Sequence, residues 1–214
     1  MRAMNIRDIM RLSPVIPVLT VTQLEHAAPL AQALVRGGLK VLELTLRTSC
    51  ALEAIAIMRA AAPDAVVGAG TLTRPEDFAA AQRAGAQFGV TPGLTQPLIA
   101  AAATVDFPLL PGIMTPAELI GARAAGYTAC KLFPAQPAGG VGMLKALAGP
   151  FPDTVFCPTG GITRQNAMDF LSVSNVLCVG GSWFAPPEML QSKNWSAIES
   201  LARDAATLGA TAER

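Results

Sequence analysis

Eight short apolar runs, spread evenly along 214 residues and mostly followed by helix-like segments, predict an α/β protein with a parallel sheet. Strands that alternate with helices form right-handed βαβ units, and eight such units favour a closed (β/α)8 TIM barrel. The composition does not shift between the two halves, so we expect one barrel domain over residues 1–214. An open doubly wound sheet is the alternative, because periodicity alone does not establish closure.

The predicted strands are short and rich in β-branched or other apolar residues. In chain order they are VIPVLT (15–20), KVLELTL (40–46), AVVGAGT (65–71), QFGVTP (87–92), PLLPGI (108–113), ACKLFP (129–134), VFCPTG (155–160) and VLCVGG (176–181). The segments between them begin at Ser, Thr or Pro, and several end at Gly, as helices commonly do. Residues 4–12 predict an extra N-terminal helix over the bottom of the barrel, and SAIESLARDAATLGA (196–210) is the last predicted helix.

The composition argues against several classes of function. With 51% hydrophobic and 14% charged residues, the chain can bury a large core, and disorder is not expected. A net charge of +1 without a basic stripe gives no electrostatic reason to bind nucleic acid or an anionic membrane. No apolar run is long enough to span a bilayer or to form a signal peptide, so we expect a cytoplasmic protein. The four cysteines are far apart, as buried thiols in a reducing compartment would be.

The second predicted strand carries polar residues where a barrel would have its active site, at the carboxyl ends of the strands. Along VLELTLRT (41–48), alternation puts Glu43, Thr45 and Arg47 on one face and three leucines on the other. The leucines suit packing against helices, which leaves a carboxylate, a hydroxyl and a guanidinium directed into the barrel mouth. A structural Glu–Arg pair is the alternative.

The sixth predicted strand contains Lys131, one of four lysines, in an apolar run where burying an ammonium group is costly. Alternation places it on the same face as Phe133, turned towards the barrel mouth. Apolar surroundings and a nearby cation such as Arg47 favour the neutral amine, a nucleophile towards carbonyl groups, and Glu43 would move protons. A structural counter-ion for Glu43 is the alternative role of this lysine.

Paired glycines follow the last two predicted strands, in CPTGGI (157–162) and VGGSW (179–183). Backbone N–H groups at such pairs can approach an anion closely, and barrels commonly bind phosphate at this place. Thr159 precedes the first pair and Ser182 follows the second, while ordinary tight turns are the alternative. The single histidine, His26, falls in the first predicted helix of the eightfold pattern, where a surface or packing role is expected, and no metal site is expected.

Several of these residues lie in a longer ordered set of motifs: VLELTLRT, VGAGT, TPGLT, PLLPGI, KLFPA, GPF, FCPTGGI and VGGSW, within residues 14–184. The set resembles the bacterial 2-keto-3-deoxy-6-phosphogluconate (KDPG) aldolases, also described as 4-hydroxy-2-oxoglutarate (KHG) aldolases. The resemblance implies a class I, metal-independent aldolase on a (β/α)8 barrel. It also implies a phosphorylated 2-keto acid substrate, no cofactor and assembly as a homotrimer. The sequence departs at Gln136, where many relatives have Glu, and we expect this to affect the rim of the site rather than its chemistry.

Residue roles follow from the same resemblance. Lys131 would form the Schiff base, and Glu43 would be the general acid/base. Arg47, helped by Thr71 of VGAGT, would bind the pyruvate carboxylate. Pro92 and Phe133 would line the pocket, and Thr159 would influence the stereoselectivity at the new hydroxyl. The phosphate would be bound by Gly160, Gly161, Gly181 and Ser182.

The sequence leaves other functions open. A sister aldolase for the galactonate epimer would share the lysine and the glutamate, although TLRT favours the gluconate enzyme. A phosphate-binding barrel isomerase or epimerase needs no imine-forming lysine. A non-catalytic phosphosugar-binding barrel would bind its ligand without turnover. An aldolase with a loose pocket would accept the unphosphorylated 4-hydroxy-2-oxoglutarate as well.

Overall fold

The computed structural model describes residues 4–208 and contains parallel strands alternating with helices. The strands are β1 (Val15–Leu19), β2 (Val41–Thr45), β3 (Val66–Gly70), β4 (Gly89–Val90), β5 (Leu109–Leu110), β6 (Gly112–Ile113), β7 (Ala129–Leu132), β8 (Val155–Pro158) and β9 (Val179–Gly181). The helices are α1 (Ile6–Arg11), α2 (Ala27–Arg36), α3 (Ala51–Ala61), α4 (Pro75–Arg83), α5 (Gln96–Ala102), α6 (Pro116–Ala124), α7 (Gly140–Ala148), α8 (Ala167–Leu171), α9 (Pro187–Gln191) and α10 (Trp195–Ala206). Each predicted strand run contains a strand, so the α/β prediction is confirmed.

The strands form a curled parallel arrangement of two hydrogen-bonded sheets. Their orders are β5-β4-β3-β2-β1-β9 and β6-β7-β8. Pro111 divides the fifth predicted strand into β5, which ends one sheet, and β6, which begins the other, so the chain runs directly from one sheet into the next. At the other side, isolated parallel bridges join Phe156 to Val176 and Thr159 to Gly180, next to β8 and β9. The carboxyl ends of the strands therefore lie along the same edge of this curled sheet.

Side chains alternate between two apolar layers. The outer layer lies between strands and helices and includes Leu42 and Leu44, as the alternation of β2 predicted. The inner layer is formed by Ile16, Val41, Val66, Phe88, Val90, Leu110, Ala129, Cys157 and Cys178. Ile16, Val41, Val66 and Ala129 lie at or near the start of their strands, and the layer fills the inside of the curl below the polar carboxyl ends.

The extra N-terminal helix predicted over the bottom of the barrel is present as α1. Its buried Ile9 and Met10 belong to the inner apolar layer. Asn5 is the N-cap, and its side chain accepts a hydrogen bond from the Asp8 N–H at 3.0 Å. This helix therefore covers the end of the curl opposite the carboxyl ends of the strands.

Helix α6 shows how local sequence fixes an element boundary. Thr115 and Glu118 form a capping box, in which the Thr115 hydroxyl accepts from the Glu118 N–H and the Glu118 carboxylate accepts from the Thr115 N–H. Burial opposes ionisation of Glu118, but hydrogen bonds from the Met114 and Thr115 N–H groups outweigh it and lower the pKa of the carboxyl. The charged carboxylate therefore stabilises the start of this helix.

The C-terminal segment differs in detail from the sequence prediction. Helix α9 was not predicted, because APPEMLQSKN (185–194) has two prolines and few apolar residues. The last helix was predicted over 196–210 and is observed as Trp195–Ala206, while positions 209–210 lie outside the described residues. None of the helices in residues 4–208 has the length and apolar character needed to cross a membrane.

Candidate active site

The centre of the site is a buried ion pair between β2 and β7. The Lys131 ammonium donates a hydrogen bond to Oε1 of Glu43 at 3.2 Å, and the two side chains are only 7% and 4% exposed. They are 88 positions apart in the sequence, so the curl of the sheet is what brings them together. The predicted convergence of this lysine and this carboxylate is confirmed.

The surroundings of Lys131 are apolar, as predicted, but its charged neighbour is an anion. Its Nζ lies 5.2 Å from the centroid of the Phe133 ring, a cation–π geometry. Arg47 was expected to repel the ammonium group. It lies beyond the end of β2, is exposed, and has no hydrogen-bond or ion-pair partner among residues 4–208. A neutral lysine therefore requires that a proton leave Nζ, and Oε1 of Glu43 is within hydrogen-bond distance to accept it.

Space for the Glu43 side chain is provided by β3. A Cβ atom on Gly70 would lie 2.2 Å from Oε1 of Glu43, closer than atoms can approach. Two residues earlier, on the same face of the strand, a Cβ on Gly68 would lie 2.4 Å from the Phe88 ring. These two approaches show that the strands pack closely along GAGT (68–71). That one of these glycines faces the carboxylate was not foreseen.

Thr71 follows Gly70 at the carboxyl end of β3 and has an unusual backbone. Its φ is +61°, in the left-handed region that β-branched residues rarely adopt. Such strain persists only where surrounding structure enforces it, and it occurs often at functional sites. Thr71 is half-buried directly after the last residue of β3.

The strand beside Lys131 is β6, and its Gly112 pairs in register with Lys131. A Cβ on Gly112 would lie 2.4 Å from the carbonyl of Pro92, so the backbones pass very close here. The Thr91 hydroxyl accepts a hydrogen bond from the Gly112 N–H at 3.1 Å and holds the two segments together. Pro92 therefore lies near the lysine, where it was predicted as a pocket wall.

Thr45, predicted to direct its hydroxyl into the mouth, is fully buried instead. Its hydroxyl donates to the Leu19 carbonyl of β1 at 2.8 Å, and the Thr20 hydroxyl oxygen lies 3.0 Å from Thr45 Oγ1. Alternation was correct about the face, but the hydroxyl is engaged with the neighbouring strand. Thr20 is exposed at the end of β1 and was not singled out from the sequence.

The two glycine pairs lie side by side. The Thr159–Gly180 bridge joins the ends of β8 and β9, and a Cβ on Gly180 would lie 2.2 Å from the Thr159 hydroxyl. Gly160 and Gly161 have φ values of +96° and +77°, which only glycine adopts readily. In residues 4–208, the N–H groups of Gly160, Gly161 and Ser182 donate to no acceptor. Unengaged N–H groups in adjacent loops can bind an anion.

Thr159 is buried between these loops and the strand interior. Gly181 is also buried, and the Trp183 ring occupies the place where a Cβ would be. Ser182 is exposed between them, so its hydroxyl is accessible at the predicted phosphate position. The structure therefore brings the residues predicted for phosphate together at one edge of the mouth.

His26 lies away from these groups. It is buried at the start of α2 and packs edge-to-face against Trp195, with ring centroids 5.6 Å apart, as a packing role predicts. Within the described residues, no group of three or more His, Cys, Asp or Glu side chains is arranged to hold a metal ion.

Comparisons with known proteins point to a single family. The family model for KDPG and KHG aldolases matches residues 6–201. A 2-dehydro-3-deoxy-phosphogluconate aldolase from Dickeya dadantii (strain 3937) is 52% identical over 205 residues, covering 96% of this chain and 96% of that protein. A KHG/KDPG aldolase from Escherichia coli (strain K12) is 49% identical over 198 residues, covering 92% of this chain and 93% of that protein. The solved KDPG aldolase from Legionella pneumophila, with pyruvate captured at low pH as a covalent carbinolamine intermediate, has a TM-score of 0.91 at 44% identity, covering 94% of this chain and 97% of that chain.

Proposed function

Because this chain belongs to the KDPG and KHG aldolase family, we propose that it is a class I aldolase that cleaves KDPG into pyruvate and glyceraldehyde 3-phosphate. The observation that carries the proposal is the buried pair of Lys131 and Glu43. A lysine beside a carboxylate supplies a nucleophile and a proton carrier at 3.2 Å, which imine formation requires. The first glycine pair, with its unengaged N–H groups, follows β8, the strand that pairs with the strand of Lys131, which supports a ligand-binding rather than a purely structural role for the ion pair.

The reaction begins when Glu43 accepts the lysine proton and the neutral amine of Lys131 attacks the C2 ketone of the substrate. The resulting carbinolamine takes that proton from Glu43 as its hydroxyl leaves as water, which gives a protonated imine that can accept an electron pair and returns Glu43 to the carboxylate. Glu43, acting through a water molecule, then removes the C4 hydroxyl proton. The C3–C4 bond breaks, its electrons move towards the imine nitrogen, and glyceraldehyde 3-phosphate leaves.

The remaining enamine must be protonated at C3 before the product can leave. Glu43 now carries the proton that it removed, so the same carboxyl delivers it. Water then hydrolyses the imine, which releases pyruvate and restores the amine. One carboxyl group thus serves in both directions of proton transfer.

The substrate ends are assigned to the two sides of the mouth. Arg47 and Thr71 follow β2 and β3 and would hold the carboxylate, with Pro92 and Phe133 as walls near the lysine. Thr159 would contact the new hydroxyl and influence its configuration. The phosphate would be bound by the N–H groups and hydroxyl of Gly160, Gly161, Gly181 and Ser182, three of which have N–H groups without an acceptor in the described part of the chain.

The proposal extends to architecture, assembly and location. β5 and β6 are parts of one predicted strand interrupted at Pro111, which joins the two sheets on one side, and the bridges beside β9 join them on the other. Both features support closure into one (β/α)8 barrel domain. We propose a cytoplasmic homotrimer, and light scattering should give the mass of three 22.1-kDa chains. A monomer mass would contradict this assembly without affecting the proposed chemistry.

Reductive trapping tests the chemistry directly. Incubation with pyruvate and borohydride should add one reduced pyruvate to the peptide that contains Lys131. Lys131→Met should abolish the adduct, whereas Lys145→Met, at an exposed lysine in α7, should retain it. No adduct, or an adduct on Lys40, Lys145 or Lys193, would contradict the assignment and would favour an isomerase or a non-catalytic barrel.

Two further measurements separate the neighbouring activities. Comparing turnover of the gluconate and galactonate epimers distinguishes this enzyme from the sister aldolase, and faster cleavage of the gluconate epimer is expected. Comparing KDPG with unphosphorylated KHG measures the contribution of the phosphate loops, and activity should survive chelation. Loss of activity on chelation would indicate a metal-dependent lyase.

A further inference from the structure

We propose that Thr20 is a specificity-determining residue whose hydroxyl accepts a hydrogen bond from the hydroxyl next to the aldol carbon, at C5 of the substrate. This inference rests on the proposed aldolase function and adds a residue that recognises the aldehyde half. It begins from the direction of two hydrogen bonds at the ends of β1 and β2.

The Thr45 hydroxyl has one proton, and the Leu19 carbonyl 2.8 Å away can only accept it. The Thr20 hydroxyl, 3.0 Å from Thr45 Oγ1, must therefore donate its own proton to Thr45. Thr20 is exposed, so its oxygen faces the mouth with lone pairs and no proton to offer. The buried Thr45 thus converts Thr20 into an acceptor.

The position of Thr20 follows from the pairing of β1 with its two neighbours. On one side Val18 pairs with Glu43, and Thr20 lies two residues further towards the mouth on the same face. On the other side Pro17 pairs with Gly181, which begins the second glycine loop. The end of β1 therefore lies between the proton-transferring carboxylate and the proposed phosphate loops, and strand geometry puts the Thr20 backbone roughly 8 Å from that of Glu43 and roughly 11 Å from that of Gly181.

An acceptor in that place can bind few parts of the substrate. The carboxylate, the ketone and the ionised phosphate are themselves acceptors, so they gain nothing from the Thr20 oxygen. The hydrogen-bond donors on KDPG are its two hydroxyl groups, at C4 and C5, and the proton of the C4 hydroxyl is the one that Glu43 removes. The C5 hydroxyl lies between C4 and the phosphate, which is the interval that Thr20 spans.

The test uses the synthetic direction with two aldehydes, glyceraldehyde 3-phosphate and its 2-deoxy counterpart, 3-oxopropyl phosphate. Thr20→Val keeps the shape and removes the acceptor. The ratio of kcat/KM between the two aldehydes should fall about tenfold, as loss of one hydrogen bond to a bound hydroxyl implies. Thr20→Ser should restore the preference. Thr22→Val is the matched control, because Thr22 is exposed two residues later and has no hydrogen bond within residues 4–208.

The ratio is measured within one protein, so partial unfolding of a variant does not alter it. An unchanged ratio in Thr20→Val, or an equal loss in Thr22→Val, would overturn the proposal. Borohydride trapping of pyruvate by the unmodified protein is independent of the aldehyde half. A missing adduct there would mean that the aldolase function is wrong, whereas a normal adduct with an unchanged ratio would remove only Thr20.

Discussion

Breaking the buried ion pair one side at a time should be far more damaging than replacing both partners. Lys131 and Glu43 are almost fully buried at 3.2 Å. At an effective dielectric constant of about 20, their attraction is about 5 kcal/mol, which agrees with the roughly 3–5 kcal/mol lost when a buried charge loses its partner. Lys131→Met leaves an unpaired carboxylate, and Glu43→Gln leaves an unpaired ammonium. The double variant leaves no charge, so its free energy of unfolding should lie within about 1 kcal/mol of the unmodified protein.

Urea denaturation followed by circular dichroism measures these differences, and thermal denaturation provides a second readout. For a chain of this size about 3–5 kcal/mol corresponds to a fall in Tm of roughly 6–20 °C. All three variants should be inactive, because each lacks the lysine nucleophile, the glutamate carboxylate or both. The double variant should therefore regain stability without regaining activity. Lys145→Met, at an exposed lysine, is the control and should change stability by less than about 0.5 kcal/mol. If each single variant lost under about 1 kcal/mol, or if the two losses simply added, the reasoning about a desolvated pair would be refuted.

Three further predictions concern other parts of the molecule. Gly70→Ala should lower kcat about 100-fold, because the new Cβ displaces the proposed general acid/base, whereas Gly142→Ala, with nothing within 4 Å, should be neutral in a steady-state assay. Glu118→Gln should destabilise α6 by about 1 kcal/mol at pH 7. Its carboxyl pKa is lowered in the folded state, so the difference in unfolding free energy should shrink as pH falls below about 4. Burial raises the pKa of Cys130 to about 12, so a thiol reagent at pH 8 should label the partly exposed Cys50 and leave Cys130 unmodified in the native protein.

Each of these has a contradicting result. Normal kcat in Gly70→Ala would mean that the carboxylate does not require its observed position. A pH-independent effect of Glu118→Gln would mean that the charge of the carboxylate does not stabilise the helix. Labelling of Cys130 at the same rate as Cys50, with the protein still folded, would show that β7 opens readily to solvent.

The strands were predictable because their alternation reports directly on two faces. Glu43 and Lys131 could be placed on the inward face of their strands from three or four neighbouring residues each. The 3.2 Å contact between them could not be predicted in the same way, since it depends on the curvature of a sheet over 88 intervening positions. Helix α9 was missed because a short helix with two prolines at its start has no periodic apolar pattern.

Arg47 shows where the alternation rule stops applying. β2 ends at Thr45 and the backbone bends at Leu46, so Arg47 does not continue the strand. Its predicted place on the Glu43 face of the strand assumed that β2 was two residues longer. The hydroxyl of Thr45 is a similar case: the face was predictable, but its bond to the Leu19 carbonyl depends on the register with β1.

Four glycines in and around the site each lie against a bulky side chain or a backbone segment of a neighbouring strand or loop. The pairs are Glu43 with Gly70, Phe88 with Gly68, Thr159 with Gly180, and the Pro92 backbone with Gly112. In each pair an added Cβ would come within 2.2–2.4 Å of its partner. At each of these places the volume that a side chain can occupy therefore depends on the residues at two positions of the chain.

This dependence limits the mutational routes by which the pocket can change. A single substitution that enlarges Gly180 meets Thr159 at once, so the new residue is tolerated only after position 159 has become smaller. A library that varies position 159 alone explores only smaller or isosteric side chains. A library that varies 159 and 180 together can move the bulk from the end of β8 to β9, and thereby reshape this edge of the mouth without altering Lys131.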